Sequence, residues 1–172
     1  EKLVMKKMMV CILALACVLG GAQWAFAHCE IPCGIYTDDM RFTMMRENIT
    51  TLEKSMNQIR SLSTEPAVNM NQLVRWVNNK EEHADNLSDI VTQYFLKQRV
   101  KPAKQGDEAG MEKYQKQLMG LHQIMIHSMK AKQTLDQAHI DTLRKLVDDF
   151  EGSYFGKLEQ KHLKEDHGST HK

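Results

Sequence analysis

Between Asp38 and Leu62 the chain reads DDMRFTMMRENITTLEKSMNQIRSL. Phe42, Met45, Ile49, Leu52, Met56 and Ile59 recur there at alternating steps of three and four. That spacing brings side chains onto one face of an α-helix. Charged and amide side chains fill the remaining faces, and Thr37 or Asp38 is placed to cap the start. A stripe this long needs other apolar faces to cover it, and the rest of the chain supplies three.

The second stripe follows Ser63-Thr64-Glu65-Pro66, a cap with proline in the first turn, and carries Leu73, Val77, Ala84, Leu87, Val91 and Tyr94. Lys80 falls on this stripe and weakens it locally. Pro102, Gly106 and Gly110 interrupt the chain. The third stripe is Met111, Tyr114, Leu118, Leu121 and Met125. The fourth starts at Thr134 or Asp136 and carries Ile140, Leu143, Val147, Phe150, Tyr154 and Leu158, with Gly152 and Gly156 weakening its last turns. Four such stripes joined by short breaks predict an all-α fold, an antiparallel four-helix bundle over residues 37–161 with the methionines of these stripes in the core. The sequons at Asn48 and Asn86 fall inside predicted helices and are read as chance.

Composition agrees. The chain has 172 residues, enough for one domain, and only three prolines. Lys plus Arg is 23 against 22 Asp plus Glu, a balance that argues against a nucleic-acid partner.

Residues 1–27 differ from everything after them. Lys6 and Lys7 precede an apolar run from Met8 to Gly20, and Ala25-Phe26-Ala27 closes the segment with small residues. This is the pattern of a cleaved signal peptide, which predicts export to a periplasm, an organelle lumen or the outside, a processing protease as partner, and no membrane association after cleavage. A membrane span over residues 8–27 is disfavoured because that stretch holds Gly20, Gly21 and Gln23. Lipoprotein processing at Cys17 would cut through the apolar core of the leader. Cleavage after Ala27 removes Cys11 and Cys17 and leaves Cys29 and Cys33 at the extreme end of the mature chain, where they cannot staple a fold.

Cleavage after Ala27 also makes His28 the first residue. A free α-amine, with a reference pKa of about 7.7–8.0, is a good metal ligand once deprotonated. The His28 amine and the Cys29 amide nitrogen can close one chelate ring, and that nitrogen with the Cys29 thiolate a second. Pro32 and Gly34 can turn the chain so that Cys33 adds another thiolate, with the His28 imidazole as an axial ligand. A planar set of two nitrogens and two sulfurs points to Ni(II) or Cu(II), whereas zinc prefers a tetrahedron. Cys-x3-Cys alone is also compatible with a local disulfide or two idle thiols.

The run His28-Cys29-x-x-Pro32-Cys33-Gly34-x-Tyr36 resembles the nickel-binding hook of nickel-containing superoxide dismutases, and Tyr94-Phe95 and Leu121-His122-Gln123 resemble segments of the same family. The resemblance implies an enzyme that dismutes superoxide by Ni(II)/Ni(III) cycling, with one nickel ion per subunit in a homohexamer of bundles. It implies His28, Cys29 and Cys33 as metal ligands within a hook over residues 28–36. It implies Tyr36 beside the open face, limiting access and ordering water, with Tyr94 as its hydrogen-bonding neighbour. Glu30 stands where the family often has Asp. The resemblance implies that a Glu on the first helix and an Arg from a later helix orient the axial imidazole; Met44 stands at the Glu position, Glu47 lies nearly one turn on, and Arg46 or His83 can supply the other partner.

Three other classes remain compatible with the sequence. A nickel- or copper-delivery protein would use the hook without turnover. A structural exported bundle would not need Cys29 or Cys33. A thiol–disulfide enzyme lacks its two-residue spacing and its βαβ setting here. The tail over residues 162–172, with His162, His167 and His171, is read as a flexible solvated terminus.

Overall fold

The computed structural model describes residues 5–7, 9 and 37–156. The chain divides into two compact units, Glu1–Ile31 and Pro32–Lys172. In the first, residues 5–7 and 9 are helical. The rest of residues 1–27, expected to be a leader, the expected hook over residues 28–36, residues 157–161 and the histidine-bearing tail lie outside the described residues.

The second unit is an all-α bundle. Helix α1 spans Asp38–Ser63 and α2 spans Met70–Asp89, which continues into a π-helical segment, Ile90–Arg99. Helix α3 spans Glu108–Gln133 and α4 spans Ala138–Phe155. No strand occurs among the described residues. None of the described helices is long and apolar enough to cross a membrane.

Side-chain contacts set the directions. Along α1, Arg46 pairs with Glu151 at 2.7 Å, Glu53 with Arg144 at 2.6 Å, and Arg60 Nη2 donates to the Leu135 carbonyl at 2.7 Å. Numbers rise on one helix as they fall on the other, so α1 and α4 are antiparallel. Asn48 meets His83 at 2.7 Å and Ser55 meets Asn79 at 2.8 Å, which makes α2 antiparallel to α1 as well. Lys113 meets Tyr154, and His127 meets His139, so α3 and α4 are also antiparallel.

The decisive stripe of α1 is the centre of the core. Phe42, Met45, Ile49, Leu52 and Met56 are fully buried. Ile140, Leu143, Val147 and Phe150 of α4 are buried with them, and Phe42 packs at a tilt against Phe95 and Phe150 with ring centroids 5.0 and 5.5 Å apart. Burial of this kind stabilises by about 1.5–3 kcal/mol per large apolar side chain.

Several local expectations are corrected. Helix α2 starts at Met70, not beside Pro66, because the Asn69 side chain caps it by accepting from the Gln72 amide at 3.2 Å. In its first half the inward face is displaced: Val77 is exposed and Lys80 is buried. In α3 the fully covered line is Gln117, Leu121, Ile124, Ser128 and Ala131, while Met111 is exposed and Tyr114, Leu118 and Met125 are half-buried. Polar residues tolerate that line because they are bonded: Ser128 donates to the Ile124 carbonyl at 2.9 Å and Gln117 to the Ser153 carbonyl at 3.2 Å. Helix α4 begins at Ala138, with the Asp136 carboxylate accepting its amide at 3.0 Å. Gly152 lies within α4, and Gly156 ends it at φ +81°, a conformation that suits glycine. Asn48 and Asn86 both lie inside helices, and Asn48 is buried.

Candidate metal centre

The described residues reach the edge of the proposed hook but not the hook. His28, Cys29, Cys33 and Tyr36 lie outside them, and Thr37 is the first residue described on that side. Among the described residues no three His, Cys, Asp or Glu side chains come together to hold a metal ion.

What stands directly after Thr37 is a polar cluster. The expectation of a local cap is corrected here: Thr37 is the N-cap residue of α1 but makes no side-chain cap bond. Asp38 turns instead to the rest of the bundle. Its Oδ2 accepts from the Tyr154 hydroxyl at 2.7 Å, and its Oδ1 accepts from the Tyr94 hydroxyl. Arg99 Nε lies 2.9 Å from the same Oδ1, and Arg99 Nη2 donates to the Tyr94 oxygen at 3.0 Å. Burial and the adjoining carboxylate push both tyrosine hydroxyls above their ordinary pKa, Tyr154 the more strongly. Both therefore hold their protons and act as donors at any physiological pH. Arg99 is pushed up too, chiefly by its bond to Tyr94. Tyr94 thus has Asp38 and Arg99 as its neighbours, while its expected partner Tyr36 is outside the described residues.

The residues considered as substitutes around Met44 share one place. Met44, Arg46, Glu47 and His83 line an open groove of about 890 Å³ between α1 and α2. Arg46 is already bound across the bundle to Glu151 and Asp148, and His83 Nδ1 to the side-chain Oδ1 of buried Asn48. The Met44 sulfur accepts from Arg41 Nη1 at 3.5 Å.

Sequence reasoning overlooked Asp38 as a hub and did not consider Arg99. One signal was present: Tyr154 sits on a core stripe, and a buried tyrosine hydroxyl needs a partner.

The model of the nickel-containing superoxide dismutases matches residues 23–157, more than three quarters of the chain. The chain belongs to that family. It is therefore an oxidoreductase whose family uses nickel and acts on superoxide. The matched region takes in residues 28–36 and the four described helices of the bundle. No curated protein and no solved structure gives a significant match.

Proposed function

We propose that this dismutase holds one nickel ion per subunit at its mature N-terminus, through His28, Cys29 and Cys33, after export and cleavage behind Ala27. The observation that carries the reading is the contiguous donor run His28-Cys29…Cys33, lying inside the region that matches the family. The donor chemistry fits the ion: two thiolates, an amine, an amide nitrogen and an imidazole suit nickel better than the harder metals. The described bundle offers no rival cluster.

Nickel bound there would supply a Ni(II)/Ni(III) couple, the redox chemistry by which two superoxide anions and two protons become dioxygen and hydrogen peroxide. The chain's own residues do the rest. His28 would hold the ion through its amine and imidazole, Cys29 through its amide nitrogen and thiolate, and Cys33 through a second thiolate. Tyr36 would limit access to the ion and order water beside it.

A homohexamer is part of the proposal. Met70, Val74 and Val77 lie on one face of α2 and are all exposed. An unpartnered apolar stripe on a helix is a surface for another subunit.

The test is Cys33→Ser in the mature protein. It should lose stoichiometric nickel and dismutase activity together, while its helical circular dichroism stays unchanged. Normal nickel content and rate in this variant would remove Cys33 from the ligand set.

A further inference from the structure

The carboxylate of Asp38 is the meeting point of three elements. It is the first residue of α1, Tyr94 and Arg99 belong to the π-helical segment, and Tyr154 is in the last turn of α4. The cluster is walled on one side by aromatic rings: Tyr94 packs edge-on to Phe95 at 5.2 Å, and Tyr154 lies 5.8 Å from Phe42. The guanidinium groups of Arg41 and Arg99 approach the Tyr94 ring at 4.8 and 5.0 Å.

The π-helical geometry makes this cluster possible. In an α-helix, residues five apart stand about 140° apart around the axis. Here the bonding runs from each amide to the carbonyl five residues back, as in Val100 to Phe95 at 2.8 Å. The wider turn brings Tyr94 and Arg99 to one side, where Arg99 bonds the Tyr94 hydroxyl and both reach Asp38. A π-helical stretch is a rare variant of the helix and occurs frequently at functional sites. The start of α1, lacking a side-chain cap of its own, is thus held by a cross-bundle clamp.

We propose that Asp38, clamped by Tyr94, Tyr154 and Arg99, is a positioning residue for catalysis: it fixes the place and direction in which the chain enters the bundle at Thr37. This rests on the reading of residues 28–36 as the nickel hook. A ligand set carried on a short tether gains its geometry from the anchor, and small misplacements of reacting groups are expensive in rate. The anchor is two residues beyond Tyr36, and the ligand Cys33 is five residues before it.

The experiment compares mature, nickel-loaded wild type with Asp38→Asn, Tyr154→Phe and Cys33→Ser. Asp38→Asn places an amide donor among donors. Tyr154→Phe removes one hydroxyl and keeps the ring packing. The readouts are nickel content, helical circular dichroism, the electron paramagnetic resonance signature of oxidised nickel, and kcat separately from KM. Asp38→Asn and Tyr154→Phe should keep helix and nickel, shift the resonance signature, and lower kcat by on the order of tenfold. If Asp38→Asn fails to fold, Tyr154→Phe decides alone. A folded variant with the wild-type signature overturns the proposal, whether its rate is normal or merely reduced with stability. Cys33→Ser separates the two claims. If it keeps nickel, the reading of the hook fails. If it loses nickel while the other two variants match wild type, only the positioning role fails.

Discussion

The ammonium group of Lys80 donates to the carbonyl of Ala131 at 2.9 Å, from a residue that is 4% exposed. It also donates to the carbonyl of Lys132. These two carbonyls are among the last of α3, where a helix has no acceptor-satisfying amide of its own and carries partial negative charge. A lysine that breaks an apolar stripe is therefore the C-terminal cap of a neighbouring helix.

Lys80→Met should destabilise the bundle by about 1–3 kcal/mol, because it fills the space but leaves buried carbonyls without a donor. Denaturant titration of the metal-free protein checks this. The expected result is a lower midpoint with an unchanged slope. A midpoint equal to wild type would mean that water replaces the ammonium at no cost.

The exposed face of α2 gives a test of assembly. Val74 is 51% exposed, with Met70 and Val77 beside it. Val74→Lys should leave the helical content of the subunit intact and shift the mass of the native assembly to smaller species. Light scattering of the nickel-loaded protein reads this directly. An unchanged mass would place the subunit contacts elsewhere.

A histidine pair ties stability to pH. His127 and His139 approach edge-on with ring centroids 5.3 Å apart, between α3 and α4. Burial, the His139 charge and then Lys130 hold the His127 pKa below its ordinary value. The folded state therefore resists the proton that the unfolded state accepts. The stability is fully present above the ordinary histidine pKa of about 6.5 and is lost as pH falls through it toward the lowered folded value. His127→Asn should lose less stability than wild type between neutral pH and mild acid, as measured by melting temperature in a pH series. Parallel curves for the two proteins would contradict the assignment.

How far the sequence was legible depends on the range of the interactions. The stripe from Phe42 to Ile59 was readable because a helix repeats every few residues, and those residues are indeed buried. The same rule misplaced Val77 and Met111, where buried Lys80 and Gln117 are accepted only because distant carbonyls bond them. No periodicity announces such bonds. The Asp38 cluster was hidden for the same reason, joining residues 56 and 116 positions apart. The π-helical segment disturbs the 3.6-residue period on which the reading relies. The proposed nickel ligands are a different case. They are contiguous, so the donor types and their order suggest the chemistry before any folding is considered.

The central claim is that the free amine of His28 is a nickel ligand. While Ala27 remains attached, that nitrogen is an amide without a basic lone pair, and the first chelate ring is weakened. The most direct measurement compares superoxide consumption by nickel-treated protein beginning at His28 with the same protein carrying one extra alanine. Every side chain of the hook is identical in the two. The account predicts rapid turnover by the first and loss of most of the activity and nickel affinity in the second. Equal activity and equal nickel content in both would show that the terminal amine does not bind the metal.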